Sequence, residues 1–229
     1  MIKKHSMLVW IAAVIIFIGV MGYFSYRETG AGSATASVNL NKMLKERPEY
    51  ADLITNIQKV EEEVKKDPGL VERYAQLGLA WKSLAEQTKD KAVFSKARDA
   101  YIRGIELTGR RSSIYLLNAG VVSELMEEYT EAERYYQMAV ESTPGDAEPY
   151  LKLASLYRLF LNKSKEEIMA VYDKGIATVV LSTPIIQAKA EYLRSTGDGK
   201  AALPLYEELY RRSQNQQFKN SIDEIKQTP

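Results

Sequence analysis

After Ser37 the apolar residues recur at intervals of three and four, and alternation of β-branched with polar residues is almost absent. That spacing puts one stripe of each segment on a single helix face, so it predicts a series of amphipathic helices rather than strands. An early stripe, Leu53, Ile54, Ile57, Val60 and Val64 within Glu49 to Lys66, stops at Asp67-Pro68-Gly69. The last stripe, Phe218, Ile222 and Ile225, has i, i+4, i+7 spacing. Before Ser37 the pattern is of another kind. Met7 to Phe24 runs for 18 residues without a charge. As a helix it would span about 27 Å, close to the roughly 30 Å hydrocarbon core of a bilayer.

The helical part has an internal period. Tyr101, Tyr136, Tyr172 and Tyr206 follow one another at 35, 36 and 34 residues. Ala97, Ala132, Ile168 and Ala202 stand four residues before them, and Gly104, Ala139, Gly175 and Leu209 three residues after. A second landmark lies upstream of each: Gly78, Gly120, Ala154 and Ala190. Tyr74 and Trp81 flank Gly78, and Tyr150 and Tyr157 flank Ala154. Small residues in one helix allow a second helix to approach, and an aromatic ring fills the space beside them while its polar tip reaches the wet edge. Pro68, Pro144 and Pro184 are expected to stop the helices before them, because proline lacks the donor a continuing helix needs. Each pair leaves an apolar face, so neighbouring pairs must stack.

This pattern resembles the tetratricopeptide repeat (TPR) family, whose period is about 34 residues with Trp, Leu, Gly, Tyr, Ala, Phe and Pro at set places. The best match is Ser113 to Asp146, with Gly120, Ala132, Tyr136, Ala139 and Pro144 in register. The resemblance implies an all-α solenoid of antiparallel helix pairs in a right-handed superhelix. Repeats are expected at about 71–111, 113–146, 147–182 and 183–212, with a capping helix at 47–68 and another at 214–228. Gly78 to Ala97 is 19 residues where Gly120 to Ala132 is 12. The seven extra residues, around Ala85 to Lys91, make either longer helices or a longer loop, or else a protrusion that touches a partner.

By the same resemblance the first helix of each repeat lines a concave face. The expected protein-binding residues there are Leu79, Lys82, Leu117, Asn118, Val121, Leu125, Leu151, Ser155, Arg158 and Leu159. The middle of this face is apolar, and such a patch usually has an occupant. Either a partner segment or the chain's own terminal helix fills it. Family members that clamp a peptide carboxylate use Lys and Asn, but Ala75, Leu79 and Glu148 stand at three of those places, with only Asn118 and Lys152 matching. A carboxylate clamp is therefore not expected.

Charge and composition sharpen the picture. Lys3 and Lys4 precede the apolar run, Arg27-Glu28 follows it, and Trp10, Tyr23 and Tyr26 lie near its ends. The positive-inside rule then puts residues 1–6 in the cytoplasm, a single-pass anchor at 7–24, a flexible linker at 25–46 and the repeats outside the inner membrane. A cleaved leader ending at Ala34-Thr35-Ala36 is the rival reading. The run exceeds the usual 7–15 residues or so of a leader's apolar core, which favours an anchor.

The net charge of +1 argues against nucleic acid as a partner. There is no Cys, and the one His is His5, so the commonest nucleophile, base and metal ligands are missing from the repeats. Glu61-Glu62-Glu63 reads as a solvated helix face, and Glu127-Glu128 and Glu166-Glu167 as helix starts whose charge complements the dipole. No catalytic residue, cofactor, metal or small-molecule substrate is expected. The expected function is a membrane-anchored adaptor that holds a protein or peptide on its concave face, with a layout similar to inner-membrane proteins of envelope assembly, secretion or quality control. The alternative is a structural subunit of a homo-oligomeric or multi-protein membrane complex.

Overall fold

The computed structural model describes residues 38–227, and among these every regular element is a helix. The apolar run 7–24, its flanks and residue 228 lie outside the described residues. Helix α1 spans Leu40–Glu46, and a 3-10 turn at Pro48–Tyr50 leads into α2, Ala51–Lys66. The linker expected over 25–46 is thus corrected in its last part, which is helical. Two interactions hold α1 in place. The Asn39 side chain accepts the Lys42 amide at 2.9 Å as an N-cap, and Leu40 is buried in the core. Gln58 of α2 donates to Asn41 at 3.1 Å, so α1 runs back alongside α2.

Four helix pairs follow. They are α3 (Val71–Thr88) with α4 (Lys91–Thr108), and α5 (Ser113–Leu125) with α6 (Tyr129–Ser142). Then come α7 (Ala147–Leu159) with α8 (Lys165–Thr178), α9 (Thr183–Ser195) with α10 (Gly199–Ser213), and a closing helix α11 (Gln216–Gln227). Each helix packs chiefly on its neighbours in sequence, and short connections make those neighbours antiparallel. The connections α2–α3, α4–α5, α6–α7 and α8–α9 consist of residues 67–70, 109–112, 143–146 and 179–182. They lie along one rim of the stack.

The repeating tyrosines explain the small residues. A Cβ added to Gly78 of α3 would stand 2.6 Å from the Tyr101 ring of α4, and one added to Gly120 of α5 would collide with the Tyr136 ring of α6. Glycine is needed at both places for close approach, not for backbone freedom. Tyr115 joins the first pair to the second: its hydroxyl donates to the Val71 carbonyl at 2.7 Å. The two first-helix tyrosines that follow a Pro-Gly turn share a bond of their own kind. Tyr74 donates to the Pro68 carbonyl and Tyr150 to the Pro144 carbonyl, each at 3.1 Å.

The seven extra residues of the first repeat lengthen both helices. α3 and α4 have 18 residues each, against 13 and 14 in α5 and α6. Leu84, Ala85, Val93 and Phe94 in this extension are buried, which is what gives it a folding advantage. The turn is only Lys89-Asp90, with Lys89 at φ +56° and the Asp90 side chain accepting the Ala92 amide at 2.8 Å. There is no protruding loop.

Pro184 departs from the expectation. It lies in the first turn of α9 and so begins a helix, where a missing amide costs nothing and a fixed φ helps. Pro68 and Pro144 do lie just past helix ends.

At the carboxyl end, Phe218 and Ile222 of α11 are buried with Ile186, Ala190 and Leu193 of α9 and Ala202, Tyr206 and Leu209 of α10. Arg194 pairs with Glu224 at 2.5 Å and Lys226 with Glu207 at 2.8 Å. The terminal helix therefore covers the last pair. Among the described residues no helix is long and apolar enough to cross a membrane.

Candidate protein-binding groove

The first helices α3, α5 and α7 present the face where binding residues are expected. A groove of about 610 Å³ runs between α5 and α7. Ser113, Ile114, Leu117, Asn118 and Val121 line it from α5, Asp146, Ala147, Glu148, Pro149 and Lys152 from the start of α7, and Lys82 reaches it from α3. Four of the ten expected residues, Lys82, Leu117, Asn118 and Val121, come together there.

The other six lie outside this cavity. Leu79, Leu125 and Leu159 are 55%, 42% and 56% exposed and form open apolar surface. Leu151 and Ser155 are half-buried and Arg158 is exposed. The groove is thus centred nearer the amino-terminal ends of the first helices than the repeat register implies. Glu148, which that register also places on the concave face, and Lys152, a clamp position, line it. Asp146 and Pro149 carry no signal beyond their place at a helix start.

The groove's chemistry is mixed. Ile114, Leu117 and Val121 supply an aliphatic wall, and Asp146, Glu148 and Lys152 supply charge of both signs. Lys82 is held 3.5 Å from Glu86, one turn further along α3. The Asn118 amide donates to the Ile114 carbonyl at 2.7 Å, which fixes its side chain along α5. Glu124, also on α5, accepts the Tyr136 hydroxyl at 2.9 Å. Burial, reinforced by the Glu124 charge, pushes the Tyr136 phenol above its ordinary range. Burial likewise pushes Tyr101 up to about 12, with Glu86 adding to it, and Tyr135 up to about 12, with Glu131 adding to it. These phenols are neutral at physiological pH and act as packing groups and donors, not as bases.

The acidic runs also have structural partners. Glu62 pairs with Lys65 at 2.6 Å, and Glu63 reaches across to Arg73 of α3 at 3.0 Å, so this run is only partly a free solvated face. Glu128 pairs with Arg98. Glu167 completes a capping box with Ser164 at the start of α8, and the Ser164 amide and hydroxyl hold its carboxyl below the usual range. Among the described residues no group of three or more His, Cys, Asp and Glu is placed to hold a metal ion.

No protein-family model matches the sequence, and no curated protein matches it. Solved structures do resemble the fold. MamA superposes with a TM-score of 0.56 at 16% identity, covering 78% of this chain and 96% of MamA. A thermophilic TPR protein of Thermus thermophilus superposes with a TM-score of 0.51 at 15% identity, covering 82% of this chain and 98% of the other. At such low identity these likenesses concern the fold alone. Together with the stacked pairs and their Gly–Tyr contacts, they show that residues 38–227 form an all-α, TPR-like solenoid.

Proposed function

We propose that this protein is a scaffold or adaptor that holds a protein segment against α3, α5 and α7. The observation that carries this reading is the uncovered apolar surface on those helices. The terminal helix α11 packs on α9 and α10, so it does not fill the groove, and Leu79, Leu125 and Leu159 stay in water. Each buried aliphatic side chain of that size is worth about 1.5–3 kcal/mol, so an exposed row of them is a strong incentive for association. A segment with aliphatic residues at helical spacing and charge of both signs matches the lining.

The charge-free run Met7 to Phe24 supports a second element of the proposal, a single-pass membrane anchor with the repeats on the extracytoplasmic side. Anchoring raises the effective concentration toward partners in the same membrane. Envelope assembly, secretion or quality control are the processes such a layout suits.

Photocrosslinking in cells from a reactive amino acid at Val121 tests the groove. Recurrent capture of one protein, lost when Leu117 becomes Asp, is the expected result. Capture of the chain by itself alone would favour the structural-subunit reading. Absence of any recurrent product would sink the adaptor. A reporter fused after Pro229 tests topology, and cytoplasmic activity there would reverse the orientation.

A further inference from the structure

The four connections along one rim have the same length, four residues, but not the same chemistry. Their two middle residues are Pro68-Gly69, Arg110-Arg111, Pro144-Gly145 and Val180-Leu181. Three of these are turn-forming or charged residues, as a solvated turn requires. The fourth is aliphatic. Val180 and Leu181 are 93% and 80% exposed, more than any other large apolar side chain among the described residues. Their exposure is imposed by the turn. Val179 and Ser182 on either side are buried, and the Ser182 carbonyl accepts the Ile185 and Ile186 amides at 2.9 Å. The tip is therefore pinned at both ends and cannot fold back onto the protein.

We propose that this tip dips into the surface of a lipid bilayer and seats the solenoid on the membrane by the rim that bears it. The inference rests on the anchor reading above. Three observations select lipid as the occupant. The tip is a pair of aliphatic side chains projecting singly, without the concave lining a protein segment would need. The same chain carries the charge-free run 7–24, and 13 residues, 25–37, separate it from the described solenoid, a length of about 45 Å at most when fully extended. Finally, α1 runs back along α2, with Asn41 level with Gln58, so Val38 heads toward the rim at which α2 ends. Asp67 and Asp146 stand on this rim as well as Arg110 and Arg111, so its charge is mixed and the apolar tip makes the contact. Weak insertion suffices, because the tether supplies the concentration.

The chain has no cysteine, which makes a single-label test direct. Full-length Leu181→Cys, carrying an environment-sensitive fluorophore, is reconstituted into phosphatidylcholine vesicles that contain a nitroxide lipid. Gln87→Cys, in the turn region at the opposite rim, is the comparison. The expected result is flotation of both proteins with the vesicles, loss of at least half of the emission at position 181, and little loss at 87. Flotation with no quenching at 181 overturns the proposal and leaves the anchor standing. Shielding of 181 from aqueous iodide without nitroxide quenching means a protein contact, and also overturns it. Equal quenching at both positions means the domain lies on lipid without orientation, which likewise defeats the seated tip. A chain that does not float overturns the anchor and the seated tip together.

Discussion

In the first two helix pairs the second-helix tyrosine, Tyr101 or Tyr136, lies across a glycine of its own partner helix. In the last two pairs the landmark is Ala154 or Ala190, and the tyrosine reaches an aromatic ring in the next element. Tyr172 of α8 stands 6.1 Å from Tyr192 of α9, and Tyr206 of α10 stands 6.3 Å from Phe218 of α11. The same residue in the same register thus locks a pair internally at one end of the stack and ties successive elements together at the other. The glycine landmarks accompany the first arrangement and the alanine landmarks the second. In a stack stabilised by nearest neighbours, the amino-terminal half should resist damage within a pair poorly, and the carboxyl-terminal half damage between elements.

The largest effect expected from breaking this contrast is at the far end. Phe218→Ala removes the ring that Tyr206 meets and should cost about 3 kcal/mol, read as early loss of α11 and faster amide exchange in α9 and α10 while α3–α6 stay protected. Gly120→Ala should cost about 2 kcal/mol, because Tyr136 is fully buried and cannot yield to the new methyl. The reciprocal Ala154→Gly should cost only about 1 kcal/mol, mostly helix propensity. Equal effects from the two in urea unfolding would dissolve the distinction.

Alkaline pH probes the same half more gently. Burial raises Tyr101 to about 12, so its neutral form is favoured in the folded state. That contribution is intact below about pH 10 and is lost as pH rises through about 12, amounting to about 1 kcal/mol by pH 11. Tyr101→Phe should make this limb shallower, with buried Tyr135 and Tyr136 supplying the remainder, and an unchanged limb would remove Tyr101 as a contributor. The smallest effect belongs to Glu208, held down to about 2 by hydrogen bonds from Arg211 and Arg212. Its contribution is present above about pH 4.5 and disappears as pH falls toward 2, so Glu208→Gln should lower Tm slightly at pH 7 and not at all at pH 2.

Much of the stack is legible in the sequence because packing imposes a period. Tyr136 needs Gly120, and both recur near the spacing of one helical pair. What does not show is whatever depends on a neighbour rather than a period. The stripe of Phe218, Ile222 and Ile225 declares an apolar face but does not say whether the groove or α10 receives it. Leu40 and Asn39 make a short helix only because α2 offers a wall, so that helix is hidden in polar, small-residue surroundings. The groove is half legible. Lys82, Leu117, Asn118 and Val121 follow from repeat register, whereas Asp146 and Pro149 line it from the N-cap and first turn of the third repeat's first helix, positions that register does not mark. Val180 and Leu181 give no warning, because an apolar pair near a helix end reads as more helix.

The closure of the last pair by α11 has a further consequence. A stack of this kind grows for as long as its end face is greasy, and here Phe218 and Ile222 occupy that face while Arg194, Glu224, Lys226 and Glu207 turn charge outward. Among the described residues, that end of the stack therefore closes on polar and charged side chains rather than on an open apolar face. The inner surface is thus laid out on four first helices, α3, α5, α7 and α9, at roughly 10 Å per helix, and its length within residues 38–227 is set by the number of pairs between α2 and α11.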